Sequence, residues 1–367
     1  MDFDGEDDQN KLKQFLQMLE SRKGERHAVV MQDFPDPDAI SCAWAYRQIV
    51  AAMGIETDLI YGGRISHQEN LALVNLLKIG LTAIPSDQPL DKNRYQGSVF
   101  VDNQGTTTNL VDRLEKNGVP VLAIIDHHAQ QDRLQPLFVD IRPVGACASI
   151  MTSYLALGAM NLAASNLKHK HLATALLHGI LSETNSMIQA QPMDFLAAAH
   201  LQPFFDNDML VDILHQQRSH RGMEVIRMAL ETREIREGFC ISGVGYLRAS
   251  DRDSIPQAAD FLLTEETVHT AIVFGIVTHA TGEEVISGSL RTTKSALNPD
   301  EFIKEGLGRA ATGAFYGGGK ASAGGFEIPL GFLSGSEDEE LSKMKWETFN
   351  AKIRKKFFGS IGAEIPR

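Results

Sequence analysis

Cysteine is scarce in this chain. Cys42, Cys147 and Cys240 are the only three in 367 residues, too few and too scattered for a disulfide framework or a zinc motif. A reducing compartment is therefore expected. Aromatic residues are also sparse, at 7% with two tryptophans, and no cluster of them suggests a platform for stacking single-stranded bases. Basic residues are outnumbered, 35 Lys and Arg against 47 Asp and Glu, for a net charge of −12. That sign opposes sequence-blind binding to long nucleic acid but leaves room for a small phosphate substrate in a local pocket. The opening MDFDGEDDQN is acidic, where a signal peptide would be basic and then apolar. One long uncharged run, Pro143 to Leu167, contains Ser149, Thr152, Ser153, Asn161, Ser165 and Asn166. It reads as a buried helix rather than a membrane span. A soluble, cytoplasmic protein with no membrane partner is expected.

The apolar content, 43% with 22% charged residues, is that of a packed globular chain long enough for two domains or three. Short apolar runs alternate with helical patterns. HAVVMQDF, TDLIYGG, SVFVDNQG and VLAIIDHH read as strands, and AISCAWAYRQIVAAM and HLATALLHGILSET as mostly buried helices. Such alternation implies a doubly wound parallel α/β sheet. From about residue 238 the character changes to FCISGVGYLRA, TAIVFGIVTHA and EVISGSLRTT, strands of a smaller α/β domain with a mixed sheet. The expected division is a disordered acidic arm (1–10), an N-terminal domain (11–215), a helical linker (216–237), a second domain (238–335) and a charged C-terminal tail (336–367).

The chemistry lies in the polar tips of the strands. DFPDPDA places Asp36 and Asp38 after the first strand, VFVDNQ places Asp102 after another, and IIDHH places Asp126, His127 and His128 after a third. In an open α/β sheet ligands bind outside the carboxyl ends of the strands. Each motif alone has a structural explanation: PDPD as a turn or helix cap, Asp102 as a turn cap, DHH as packing. Together they bring carboxylates to one edge, where mutual repulsion would raise their pKa values unless a cation sat among them. Carboxylate and imidazole donors suit Mn²⁺ or Mg²⁺. Two such ions form a common device for phosphate ester hydrolysis. His178, on an apolar helix face, reads as a packed core histidine.

In this order and spacing, the DPD, VDN and DHH tips resemble the DHH phosphoesterase superfamily. The glycine-rich GGGKASAGG near residue 320 resembles the signature of the DHH-associated C-terminal domain. The layout is similar to NrnA-like oligoribonucleases and pAp phosphatases, with RecJ exonucleases and cyclic-di-AMP phosphodiesterases as relatives. The resemblance implies an active site in a cleft between the two domains. It implies that Asp36 and Asp38 are paired metal ligands, that Asp102 bridges two metals, and that His127 ligates metal. It further implies that Asp126 orients a histidine, that His128 faces the phosphate or leaving group, and that Arg291, Gly318, Gly319 and Lys320 contact substrate.

Three positions depart from the pattern. Gln32 stands where a metal-binding histidine is usual, Glu183 in GILSET replaces an aspartate, and Lys320 replaces a histidine. An amide oxygen is a weaker ligand than imidazole, so the ion served by Gln32 and Asp36 is expected to be loosely held. The other site keeps Asp38, Asp102, His127 and Glu183.

The resemblance thus implies a Mn²⁺-dependent hydrolase, with one or two ions and Mg²⁺ as an alternative. Its substrates would be short nucleotide phosphoesters such as pAp, pApA, other linear dinucleotides or nanoRNA, and not long duplex nucleic acid. A catalytically weak nucleotide-binding or regulatory protein is the alternative, and a pyrophosphatase or exopolyphosphatase a third. A homodimer is compatible with the sequence.

Overall fold

The computed structural model describes residues 3, 5–65, 67–215, 219–320, 322–335 and 338–363. The chain forms two compact units, Met1–Gln216 and Gln217–Arg367.

The first unit begins with α1 (Glu6–Glu20), followed by β1 (Arg26–Val30), α2 (Pro37–Ala51), β2 (Glu56–Tyr61), α3 (Gln68–Leu76) and β3 (Leu81–Ala83). It continues through β4 (Gly97–Val101), α4 (Leu110–Lys116), β5 (Val121–Asp126), β6 (Phe138–Ile141), α5 (Cys147–Ala156), α6 (Leu167–Glu183), α7 (Pro192–Leu201) and α8 (Asn207–Leu214). The six strands lie in the order β3-β2-β1-β4-β5-β6, and every pair is parallel. Strand order reverses between β1 and β4. In a doubly wound sheet that reversal opens a crevice at the carboxyl ends. β1, β4 and β5, the strands carrying the acidic tips, are neighbours there.

One face of this sheet is covered by α2, α5 and α6 in the larger apolar core, with Tyr46, Tyr154 and Phe15 fully buried. The other is covered by a smaller cluster around Phe100, Leu110 and Ile124. The uncharged run from Pro143 resolves into the ten residues of α5, a loop and the start of α6. Among the described residues no helix is long and apolar enough to cross a membrane.

The acidic start differs from the arm expected over residues 1–10. α1 begins at Glu6 and places Glu6, Asp7 and Asp8 in its first turn, where the helix dipole favours negative charge. Asp8 also pairs with Arg142. Phe15 of α1 is fully buried, its ring 5.0 Å from Tyr154 and 5.4 Å from Phe138. Burying such a side chain is worth about 1.5–3 kcal/mol, which fixes the helix to the domain.

The second unit contains α9 (His220–Thr232), β7 (Glu234–Arg236), β8 (Phe239–Arg248), α10 (Ser254–Leu262), β9 (Thr270–Thr278) and β10 (Glu284–Thr292). It ends with α11 (Pro299–Leu307), β11 (Gly317–Gly319), β12 (Ala323–Pro329) and α12 (Glu339–Ser360). Its sheet order is β11-β12-β10-β9-β8-β7. β8 and β9 are parallel and the other pairs antiparallel, a mixed sheet as expected.

Two expected boundaries shift. Of the linker placed at 216–237, residues 216–218 lie outside the described residues. The remainder is α9, whose Val225, Ile226 and Ala229 belong to a core of the second unit, followed by an edge strand. The tail placed at 336–367 is largely α12, with 336–337 and 364–367 outside the described residues. Ile353, Phe357 and Phe358 are buried, and Lys345 forms a buried 2.7 Å ion pair with Glu284. The charge of this helix masked three apolar anchors spaced along it.

Candidate metal centre

The segment after β1 is stitched down before it reaches the acidic residues. Asp33 accepts hydrogen bonds from Thr108 and Asn109, so it is committed to holding neighbouring loops together. Asp36 caps α2: its backbone is extended, one carboxylate oxygen accepts from the Ala39 amide at 2.9 Å, and Pro37 follows at the first helical position. Its other oxygen accepts from the Gln32 side-chain amide at 2.5 Å.

Asp38, the second residue of α2, is fully buried. Its two oxygens each accept a 2.7 Å hydrogen bond, from the backbone amides of Cys147 and Ala148 at the start of α5. Ala146, the N-cap of α5, has no side chain that could cap the helix. Asp38 supplies the missing acceptor from another helix, where the helix dipole also favours a carboxylate. Gly179 lets α6 cross close to this point. A Cβ there would lie 2.6 Å from Ser41 Oγ and 3.2 Å from Asp38 Cα. The same close crossing brings Glu183, at the end of α6, to the strand edge.

Asp102 follows β4 with φ at +55°, a left-handed conformation that a non-glycine residue adopts at a cost, and one found often at functional sites. It is held there from both sides. Its amide donates to Ile125 O at 2.9 Å, and Asn103 ties Val101 to Val30 across the β4–β1 seam through two 3.0 Å bonds. Gln104 donates to Asp126 at 2.7 Å.

Asp126, at the end of β5, is surrounded by donors. One oxygen accepts from the His127 amide, the His128 amide and His128 Nδ1, the last at 2.8 Å, while the other accepts from Gln104. Burial opposes its ionisation, but the His128 and Gln104 hydrogen bonds outweigh that and hold its pKa below the ordinary value. Asp126 therefore orients His128, whose half-exposed ring keeps Nε2 available.

His127 is turned the other way. Its Nδ1 lies 3.1 Å from the Val144 carbonyl, the outer partner that fixes a ring for metal binding. Its Nε2 then sits 3.4 Å from Asp102 Oδ1, 3.9 Å from Glu183 Oε1 and 4.0 Å from Asp38 Oδ2. Asp102 Oδ1 and His127 Nε2 are buried and have no hydrogen-bond partner among the described residues.

Buried polar atoms are normally satisfied, and burial of this many acids without a counter-charge is costly. Burial pushes Asp38 up to about 7. Burial, then the Asp38 and Asp36 charges, raise Asp102 well above the carboxylate range. Burial disfavours a charged His127, but the Asp102 and Asp38 carboxylates overcome it and lift the imidazole to about 10. The cluster thus draws in protons where a cation would serve. Its oxygen and imidazole donors fit a divalent ion such as Mn²⁺.

A purely spatial grouping puts ligand atoms of Asp102, Asp126, His127 and His128 within 4.8 Å of one another. We favour Asp38, Asp102, His127 and Glu183 as the set, because carboxylate oxygens of Asp38, Asp102 and Glu183 all lie within 4.0 Å of His127 Nε2, whereas Asp126 is turned to Nδ1 of His128.

Gln32 and Asp36 make a different pair. Their contact is with each other, and both Asp36 oxygens are engaged.

In the second unit, Arg291 on β10 pairs with Asp260 at 2.8 Å and donates to Ser289 at 2.8 Å. Gly318 and Gly319, expected to contact substrate, lie in β11, paired with Gly325 and Gly324. The Gly319 amide donates to Asp300. A Cβ at Gly318 would meet Asp300 Oδ1 at 2.6 Å, and one at Gly319 would meet Pro299 Cβ at 2.8 Å. Close approach of β11 to α11 thus accounts for both glycines. Lys320 is exposed and opens the turn that returns to Ala323.

Sequence reasoning missed the groups that hold these side chains in place: Asn103, Gln104 and the backbone of Val144, Cys147 and Ala148.

A doubly wound domain with acids and imidazoles on three adjacent strand tips defines a class of α/β protein with a cation-binding edge. Residues 27–180 match the DHH family, N-terminal domain, and the first unit carries a domain of that family. It is 36% identical to an uncharacterized protein of Methanocaldococcus jannaschii, over 92% of this chain and 65% of that one. It is 26% identical to a probable manganese-dependent inorganic pyrophosphatase of Bacillus mycoides, over 41% of this chain and 45% of that one. The chain therefore spans less than two thirds of the length of these curated relatives. In fold it is similar to an exopolyphosphatase-related protein from Bacteroides fragilis, with a TM-score of 0.65 at 12% identity, covering 94% of this chain and 98% of that one.

Proposed function

We propose that the protein is a metal-dependent phosphoesterase that hydrolyses short nucleotide phosphoesters, with pAp, pApA, other linear dinucleotides and nanoRNA as the substrate class. The observation that carries this reading is the convergence of Asp38, Asp102 and Glu183 on Nε2 of His127, which has no hydrogen-bond partner among the described residues. The DHH-family match supports it. The similarity to probable manganese-dependent pyrophosphatases of Bacillus supports Mn²⁺ as the ion.

Asp38, Asp102, His127 and Glu183 would hold one resident cation. Bound there, a divalent ion supplies an acidified water near neutral pH and offsets charge on phosphoryl oxygens. The chain's own groups do the rest. Asp126 holds Nδ1 of His128 and leaves Nε2 to exchange a proton with the leaving oxygen. Arg291 and Lys320 are the cations proposed to hold a phosphate, with Gly318 and Gly319 in the strand that leads to Lys320. The net charge of −12 favours short substrates drawn in by local cations over long polyanions.

The pyrophosphatase reading has one observation in its favour, the similarity to the Bacillus proteins over 41% of the chain. One assay separates the readings: release of AMP from pApA and of phosphate from pAp or pyrophosphate, with Mn²⁺ titrated from micromolar to millimolar. Metal-dependent turnover of the nucleotides supports the proposal, and turnover of pyrophosphate alone supports the second reading. Tight nucleotide binding with no metal-dependent turnover contradicts both and points to a nucleotide-binding protein.

A further inference from the structure

Residues 143–149, which run from the β6–α5 connection into the first turn of α5, touch two of the four ligands of the centre within five residues. The Val144 carbonyl fixes Nδ1 of His127 at 3.1 Å. The Cys147 and Ala148 amides hold the two oxygens of Asp38 at 2.7 Å each. Asp194 of α7, fully buried, grips this same stretch at two points. One oxygen accepts from the Gly145 amide at 2.9 Å and the other from the Ser149 hydroxyl at 2.6 Å. Each grip falls one residue after a contact to the centre, Gly145 after Val144 and Ser149 after Ala148.

We propose that Asp194 is a positioning residue for the metal centre, setting the His127 ring and the Asp38 carboxylate together through the 143–149 segment. The proposal rests on the metal-centre reading above and deepens it. A helix-start function alone would need only the Gln191 amide, which Asp194 also accepts at 2.6 Å. The two further bonds leave α7 and reach a segment far away in sequence. The fit at that point is close: a Cβ on Gly145 would lie 2.3 Å from Asp194 Oδ2 and 2.7 Å from Thr184 Cγ2. Thr184 adjoins Glu183, so the contact also abuts the end of α6. Asp194 acts one contact further out than the groups that bond the ligands directly; loss of a direct outer partner typically lowers metal affinity about 10–100-fold, and loss of Asp194 is expected at the low end of that range.

The test uses the full chain. Mn²⁺ affinity is measured by calorimetry for wild type, Asp194→Asn, Ser149→Ala and Leu201→Ala. The last removes core packing from the far end of the same helix. The proposal predicts Mn²⁺ affinity lower by about tenfold or more in Asp194→Asn, lower by a smaller factor in Ser149→Ala, and unchanged in Leu201→Ala despite its lower Tm. Unchanged affinity in Asp194→Asn, or an equal loss in Leu201→Ala, overturns it.

A second readout is independent of the ion. In metal-free protein the Nδ1–H resonance of His127, held by the Val144 carbonyl, is expected to be slow to exchange in wild type and Leu201→Ala and fast in Asp194→Asn. Equal exchange in all three overturns the proposal. A wild type that binds no Mn²⁺ but shows the exchange difference overturns the metal reading alone.

Discussion

His127 Nε2 lies 3.4 Å from Asp102 Oδ1, and both atoms are buried without a hydrogen-bond partner among the described residues. The two come from different strands, β5 and β4, and each is aimed by other groups. Val144 turns the imidazole, and the left-handed backbone at position 102 turns the carboxylate. Two independently enforced orientations that leave a donor and an acceptor poorly bonded to each other have a reason if both serve a third body. Several predictions about that body can be checked separately.

Gln32 should limit the number of ions. Its amide is closed on Asp36 at 2.5 Å, so wild type is expected to bind one Mn²⁺ tightly. Gln32→His, which restores an imidazole donor, should add a second binding event. Mn²⁺ titration followed by electron paramagnetic resonance reads the count, and two equally tight ions in wild type would contradict this assignment.

Metal-free stability should fall with rising pH. The folded-state pKa of Asp38, about 7, lies above the ordinary carboxylate value near 4, so its proton stabilises the fold at low pH. That contribution is lost as pH rises through about 7. His127, lifted to about 10, acts in the same direction from pH near 6.5 upward. In chelator-treated protein Tm should therefore decline from pH 5 to pH 8, and the gain in Tm on adding Mn²⁺ should grow over the same window. A gain that shrinks toward pH 8 would mean that cation and protons do not compete for these groups.

Asp126→Asn should separate catalysis from metal binding. The substitution weakens the 2.8 Å bond that orients His128 while leaving Asp38, Asp102, His127 and Glu183 in place. The expected result is kcat lower by about 10²-fold or more, in the range of a lost acid–base contribution, with Mn²⁺ affinity changed far less. Kinetics on pApA beside calorimetry give both numbers. An equal loss in each would make Asp126 a ligand instead.

Lys345→Met tests whether α12 is part of the second unit. Lys345 and Glu284 are both about 5% exposed and pair at 2.7 Å. Removing one member leaves a buried carboxylate unpaired, which destabilises by about 3–5 kcal/mol. Denaturant unfolding should show that loss, and a change below about 1 kcal/mol would mean that the pair is solvent-screened.

The alternating apolar runs made the parallel sheet of the first unit legible, and the acids at the ends of β1, β4 and β5 marked the working edge. Ligand residues announce themselves because a charge at the end of an apolar strand has few structural reasons to be there. The groups that aim them do not. Val144 and Cys147 act through backbone atoms, which no side-chain pattern reports, and Asp194 reads locally as a helix cap. α12 read as a solvated tail because its apolar anchors are few among many charges. The glycines of β11, expected to contact substrate, also sit where α11 comes close; open space for a ligand and close approach of a neighbouring helix call for the same residue.

The most direct test is Mn²⁺-dependent release of AMP from pApA by wild type and by Asp102→Ala, with Mn²⁺ binding measured on the same preparations. The account predicts saturable, Mn²⁺-requiring turnover in wild type. In a folded Asp102→Ala it predicts Mn²⁺ affinity lower by at least about 100-fold, beyond the usual effect of an outer contact, and no turnover. Undiminished Mn²⁺ binding in Asp102→Ala, or wild-type turnover that survives complete chelation of divalent metal, would contradict it.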